Sequence, residues 1–216
     1  MKASSPMPNR FETLADALLA PRLMNDRMLS LMSQLVLIAV GTALLALSAR
    51  LAFPIPMSPV PVTGQTLVVL MIGMAYGSRL GAATLCAYLV EGGMGLPVFA
   101  NGMAGWPVLV GPTGGYLIGF VAAAFILGLL AERGFGRGPI STVVAMLAGT
   151  AVIYLFGATW LAQFFGPEKA IAGGVLPYLY GDALKLIVAA GLMPLAWRAV
   201  RALRPGAGKD DRKATN

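Results

Sequence analysis

The chain has 216 residues, 57% apolar and 12% charged, with 16 Lys and Arg against 9 Asp and Glu, a net charge of +7 and no histidine. Water-soluble domains hold about 45–50% apolar and about 25% charged residues, so this chain has too few charges to wet a compact surface and a soluble enzyme is excluded. Without histidine there is no Ser-His-Asp or Cys-His catalysis and no imidazole metal ligand. The single cysteine, Cys86, permits no intrachain disulfide, and its apolar setting reads as small-residue packing. The apolar runs are continuous rather than alternating, which selects an all-α integral membrane protein over a barrel.

In chain order, residues 11–19 come first. They put Phe11, Leu14, Ala15 and Leu18 on one helical face and Glu12 and Asp16 on the other, and Pro21 ends the pattern. This predicts a short helix lying on the membrane surface. Six apolar segments follow, at about Met28–Leu51, Thr63–Tyr76, Leu80–Val90, Gly114–Leu130, Ile140–Phe165 and Leu176–Val200. A hydrocarbon core about 30 Å thick needs roughly 20 helical residues. The second and third segments fall short of that, and length alone would allow re-entrant pieces. No cleavable signal is expected, because the first 30 residues are mixed and polar and the first apolar run is long enough to stay in the membrane.

Basic residues orient the chain. Six spans place both termini on one side, together with 13 of the 16 Lys and Arg residues; Arg50 and Lys169 fall on the other side, and Lys185 lies inside the last segment. Merging the second and third segments would destroy this asymmetry. The reading is therefore an N-terminal cytoplasmic segment (1–27), a six-helix transmembrane domain (28–204) and a basic cytoplasmic tail (205–216). The positive charge then serves topology, and no nucleic-acid partner is expected.

Two segments between the apolar runs are unusual. Phe53–Gly64 holds four prolines in twelve residues, and Glu91–Gly115 holds eight glycines and three prolines but no Lys or Arg. A loop of that second length is uncommon without a function. Its apolar content predicts that it folds back on the bundle, as a structural plug or as the lid of an outward-facing pocket. Asp182 and Lys185, three apart, share a face of the last segment. Each charge costs roughly 2.5–3.5 kcal/mol in the membrane, so they form either a structural ion pair or a binding site. In a site, Lys185 offers an ammonium to a substrate carboxylate, and Asp182 accepts from substrate N–H groups or orients Lys185. Gln65 and Thr63 open the second segment, Asn101 sits in the apolar loop, and Thr113 and Tyr116 flank the start of the fourth. Thr113 alone reads as a helix cap, and free N–H groups at that helix start would favour anionic or carbonyl ligand groups. Together these residues describe an apolar pocket with a few polar groups. Ala39 and Ala43, four apart on the first segment, suit close helix packing, within the bundle or against a partner protein. No phosphate-binding loop of the G-x-x-x-x-G-K-[ST] type is present, and the two halves lack the matched broken helices of an inverted repeat.

The stretches PVPVTGQTLVVLMIGMAYG (59–77), GLPVFANGMAGWPVLVGPTGGYLIGF (95–120) and LPYLYGDALK (176–185) resemble the BioY family, the biotin-binding S components of energy-coupling factor (ECF) transporters. The resemblance runs over about 170 residues. It departs at Asn101, where glycine is also common. It implies a six-helix S-component fold with an outward-facing pocket for one biotin, contacted by Asp182 and Lys185, by Asn101 and Tyr116, and by Gln65. It also implies that Ala39 and Ala43 dock the transmembrane T subunit and that two ATPase subunits supply energy. Biotin would be cargo, with no cofactor and no metal, in a bacterial inner membrane. Homo-oligomer formation is left open. The alternatives are a self-sufficient carrier for biotin or a similar small carboxylate, coupled through Asp182 and Lys185, and a membrane enzyme using Asp182 as general base. The latter lacks a second convergent carboxylate.

Overall fold

The structure is a computed structural model that describes residues 13–18, 27–54, 58 and 60–203. It is almost wholly helical. In chain order the helices are α1 (Leu14–Leu18), α2 (Arg27–Arg50), α3 (Gln65–Gly93), α4 (Trp106–Val110), α5 (Gly114–Ala131), α6 (Pro139–Phe165), α7 (Pro167–Gly174) and α8 (Leu179–Leu203). Short 3-10 turns at Ala100–Gly102 and Leu176–Tyr178 complete it, with two two-residue strands, β1 (Ala52–Phe53) and β2 (Val62–Thr63). The strands pair antiparallel, Ala52 with Thr63 and Phe53 with Val62, and bring the two ends of the proline-rich loop together. Among the described residues, five helical stretches are long and apolar enough to cross a membrane.

The second and third apolar segments are joined in α3, but α3 is not straight. Gly77 has φ 83° and ψ 177°, a conformation outside the helix and open mainly to glycine. Gln65 Nε2 lies 2.6 Å from Tyr88 Oη, although 23 residues of straight helix would separate them by roughly 34 Å. A Cβ on Gly81 would lie 3.3 Å from the Gly73 Cα, eight residues earlier. The chain thus doubles back at Gly77 into two antiparallel arms, 65–76 and 78–93. Glu132, just past α5, secures the turn. Its Oε1 accepts from the Ser78 N–H at 2.9 Å and from the Ser78 hydroxyl at 2.6 Å. A carboxylate at the first turn of the second arm also complements the helix dipole.

The centre of the bundle is α5, packed between α3 and α6. Small residues set the approach: a Cβ on Gly73 would lie 2.8 Å from Ala124 Cα, and one on Gly119 3.2 Å from Ile153 Cα. Leu127, Met146 and Ala123 are fully enclosed there. α2 is peripheral. Its Gly41, Leu45 and Ala49 are buried, with Gly41 packed against Thr84 of the second arm of α3 and Tyr76 and Ile72 of the first. Ala39 and Ala43 are exposed on the other side of the same helix, so among the described residues they do not serve packing within the bundle.

Three expectations are corrected. The N-terminal helix forms, and Asp16 is exposed, but Thr13, Leu14, Ala15 and Ala17 are buried against the bundle rather than lying on a membrane surface. Thr13 sits over the Gly77 turn; Phe11, Glu12 and Pro21, like the tail 205–216, lie outside the described residues. Cys86 is exposed, not packed. The glycine-rich loop is not irregular throughout: α3 runs on to Gly93, and α4 forms within the loop.

Candidate binding site

A cavity opens at the end of the bundle away from Gly77, with roughly 730 Å³ between its walls when its open mouth is counted. Phe99, Met103, Leu117, Phe120 and Ile153 make its walls apolar. Gln65, Thr66, Thr113, Tyr154, Asp182 and Lys185 supply polar groups.

Asp182 and Lys185 lie in the first two turns of α8. Lys185 Nζ donates to Asp182 Oδ1 at 3.1 Å and to Thr66 Oγ1 at 2.7 Å. The Tyr154 hydroxyl, from α6, donates to the other carboxylate oxygen, Asp182 Oδ2. The side chains of Lys185 and Asp182 keep 16% and 11% of their exposure, so the pair is desolvated but reachable from the cavity. Charges this deep require partners, and here α3, α6 and α8 each contribute one.

The other predicted residues divide. Gln65 lines the cavity at the start of α3, and its Nε2 is given to Tyr88. Tyr116 lines it too, but its hydroxyl is spent on the Gly174 carbonyl at 2.8 Å. Thr113 lines it and makes no side-chain cap for α5; its hydroxyl reaches the Val108 carbonyl at 3.5 Å. The N–H groups of Gly114 and Tyr116 bond back to Gly111 and Thr113, so that helix start presents fewer donors than expected. Asn101 is exposed, in the left-handed region at φ 56°, and is not part of the lining, whereas its neighbours Ala100 and Met103 are.

The glycine-rich loop folds back on the bundle and is held there as a wall. Phe99 is buried edge-on against Tyr88, ring centroids 5.5 Å apart, and lies over Gly92, where any side chain would overlap its ring. The Tyr88 hydroxyl donates to the Val98 carbonyl at 2.7 Å and Arg50 Nη2 to the Pro97 carbonyl at 2.9 Å. The proline-rich loop also closes on the site: Ser58 Oγ lies 2.8 Å from Tyr178 Oη and donates to the Gly173 carbonyl at 2.7 Å, and the Tyr178 hydroxyl donates to Val60.

Sequence reasoning missed Thr66, Tyr154, Tyr178 and Phe99. Tyr154 carried a usable signal, since a tyrosine within an apolar segment needs a partner for its hydroxyl. Tyr178, within the sixth apolar segment, carried the same signal, whereas Phe99 reads like any apolar loop residue and Thr66 like any helix-start threonine.

A model of the BioY family matches residues 20–202, nearly the whole described chain. The chain belongs to the BioY family. Among BioY relatives, a biotin transporter BioY of Thermotoga maritima is 40% identical over 162 residues, covering 74% of this chain and 92% of the relative. A probable biotin transporter BioY of Pyrococcus horikoshii is 39% identical over 153 residues, covering 71% and 89%. The crystal structure of an S component for biotin from an ECF-type ABC transporter superposes with a TM-score of 0.70 at 25% identity, over 84% of this chain and 95% of that one.

Proposed function

We propose that this BioY-family chain is the biotin-binding membrane subunit of an ECF-type importer, a transport protein and not an enzyme, which captures biotin in the cavity for ATP-driven uptake by partner subunits. The observation that carries the reading is the Asp182–Lys185 pair, 3.1 Å apart at the edge of an apolar cavity. An ammonium has three N–H donors and a carboxylate about four acceptor sites. Lys185 has spent two donors and Asp182 two acceptor sites on the protein. Among the described residues, one donor and two acceptor sites remain. The ureido group of biotin, a carbonyl flanked by two N–H groups, matches that pattern. The valerate carboxylate lies several carbon–carbon bonds from the ureido ring, so a pair this tight reads one end of the ligand only. Asp182 and Lys185 therefore take the ureido end, and the thioether ring lies against the apolar walls.

The topology follows from the same geometry. The two arms of α3 count as separate crossings, which makes six. The Gly77 turn carries Arg79, with Arg133 and Arg137 beyond α5, while Arg50 lies at the cavity end. The Gly77 end is then cytoplasmic, with both termini on that side, and the cavity opens outward from a bacterial inner membrane. Ala39 and Ala43, exposed on α2, suit close docking of a T subunit, with ATPase subunits beyond it. The test is calorimetric titration of the purified chain with biotin, followed by uptake into proteoliposomes with and without an ATPase module. Absence of heat at saturating biotin overturns the reading, and full uptake without the module replaces the importer subunit with a self-sufficient carrier.

A further inference from the structure

We infer that Tyr154 is a positioning residue for the binding pair, holding the Asp182 carboxylate in the orientation from which it meets the ligand. The inference rests on the reading of Asp182 and Lys185 as the ligand-binding pair. Three tyrosines line the cavity. The hydroxyls of Tyr116 and Tyr178 donate to backbone carbonyls, of Gly174 and Val60, and so tie chain segments together. Of the three, Tyr154 alone has its hydroxyl on an ionisable side chain, Asp182 Oδ2. Lys185 holds the other oxygen. A carboxylate gripped at one oxygen can still turn about its last torsion, which is broad. Gripped at both oxygens by donors from two different helices, it cannot turn without losing a bond. The remaining acceptor sites then point one way before any ligand arrives, and the cost of ordering them is not charged to binding.

The grip comes from outside α8. Tyr154 sits on α6, so the orientation of Asp182 depends on how α6 packs beside α8, and the spacing of Asp182 and Lys185 could set only half of it. Thr66 of α3 does for Lys185 what Tyr154 does for Asp182, since it accepts from Nζ at 2.7 Å. Tyr154→Phe removes the grip and keeps the ring that packs in the wall.

Two measurements test this on the full chain. The first is a double-mutant cycle in biotin affinity. Tyr154→Phe should weaken binding about tenfold, the scale of one hydrogen bond to a charged group. In an Asp182→Ala background, which leaves the Tyr154 hydroxyl no carboxylate to hold, the same change should cost less than about twofold. An unchanged affinity for Tyr154→Phe overturns the proposal, and so does an equal loss in both backgrounds, which would mean that Tyr154 acts on the ligand or on the fold rather than through Asp182. The second needs no ligand: a crystal structure of Tyr154→Phe should find the Asp182 carboxylate turned from its original plane. A carboxylate still in place overturns the proposal even if the cycle is too weak to read. Failure of the unaltered chain to bind biotin would instead overturn the functional reading and leave this second measurement to decide the role of Tyr154.

Discussion

Two carboxylates at opposite ends of the bundle, Asp182 buried and Glu132 half-buried, show what distinguishes the proposed binding group from a structural one. Glu132 and Asp182 both lie near helix ends, and both accept a hydroxyl hydrogen bond. Glu132 Oε1 is wedged against the Gly77 turn, where its partners are a backbone N–H and a hydroxyl of Ser78 and the neighbouring helix is in contact. Asp182 has comparable partners, Tyr154 and Lys185, but sits at the edge of open space. Hydrogen bonding to the protein therefore does not separate the two carboxylates. Spare hydrogen-bonding capacity facing a cavity does.

That difference can be attacked from either end. Gly128 packs on the Gly77 turn so closely that a Cβ would overlap the backbone of Gly77 and Ser78, atoms that cannot move aside. Gly128→Leu should leave little folded protein, checked by yield and monodispersity on gel filtration, while a larger side chain at the cavity mouth, such as Ala100→Leu, should be tolerated. At the other end, Lys185→Ala should weaken biotin about a hundredfold or more, since it removes the ligand's donor and leaves Asp182 without its cation. Calorimetry decides, and an unchanged affinity would remove Lys185 from the site. Glu132→Ala should do the reverse: biotin affinity stays within about twofold, but the thermal midpoint falls by at least about 6 °C, the scale of the two charged hydrogen bonds to Ser78 lost from a chain of this size. A loss of affinity without a loss of stability would erase the distinction. Ala39→Trp lies on neither end and should change neither affinity nor stability. It should lower uptake with the partner subunits, and intact uptake would place docking elsewhere.

How much of this was legible depends on how local each signal is. The first, fourth, fifth and sixth apolar segments match α2, α5, α6 and α8 to within a few residues, because continuous apolar runs leave the backbone no partner but itself. The doubling back at Gly77 was legible from two short runs around Gly77 and Arg79, although α3 joins them without a loop. Asp182 and Lys185 were legible because charge inside an apolar run is costly and needs a reason. Their spacing of three put them on one helical face, where Lys185 lies 3.1 Å from Asp182. The N-terminal helix was legible as a helix but not as a buried one. A surface helix and a core helix of five residues share one pattern, and only the groove at the Gly77 turn chooses between them.

Composition and order alone settled the solvent, the segments and the charged pair, since each follows from the cost of placing a group in hydrocarbon. Only the folded chain decided which polar groups remain on offer. Tyr154 and Thr66 are 28 and 119 residues from the charges they hold, and nothing in their own neighbourhoods reports those partners. Tyr116 lines the cavity with its hydroxyl donating to Gly174, and Asn101 stands outside the cavity lining although it lies between two residues of the wall. Hydrogen-bonding capacity is spent between helices that meet only in space, so the free remainder that a ligand reads is a property of the tertiary structure.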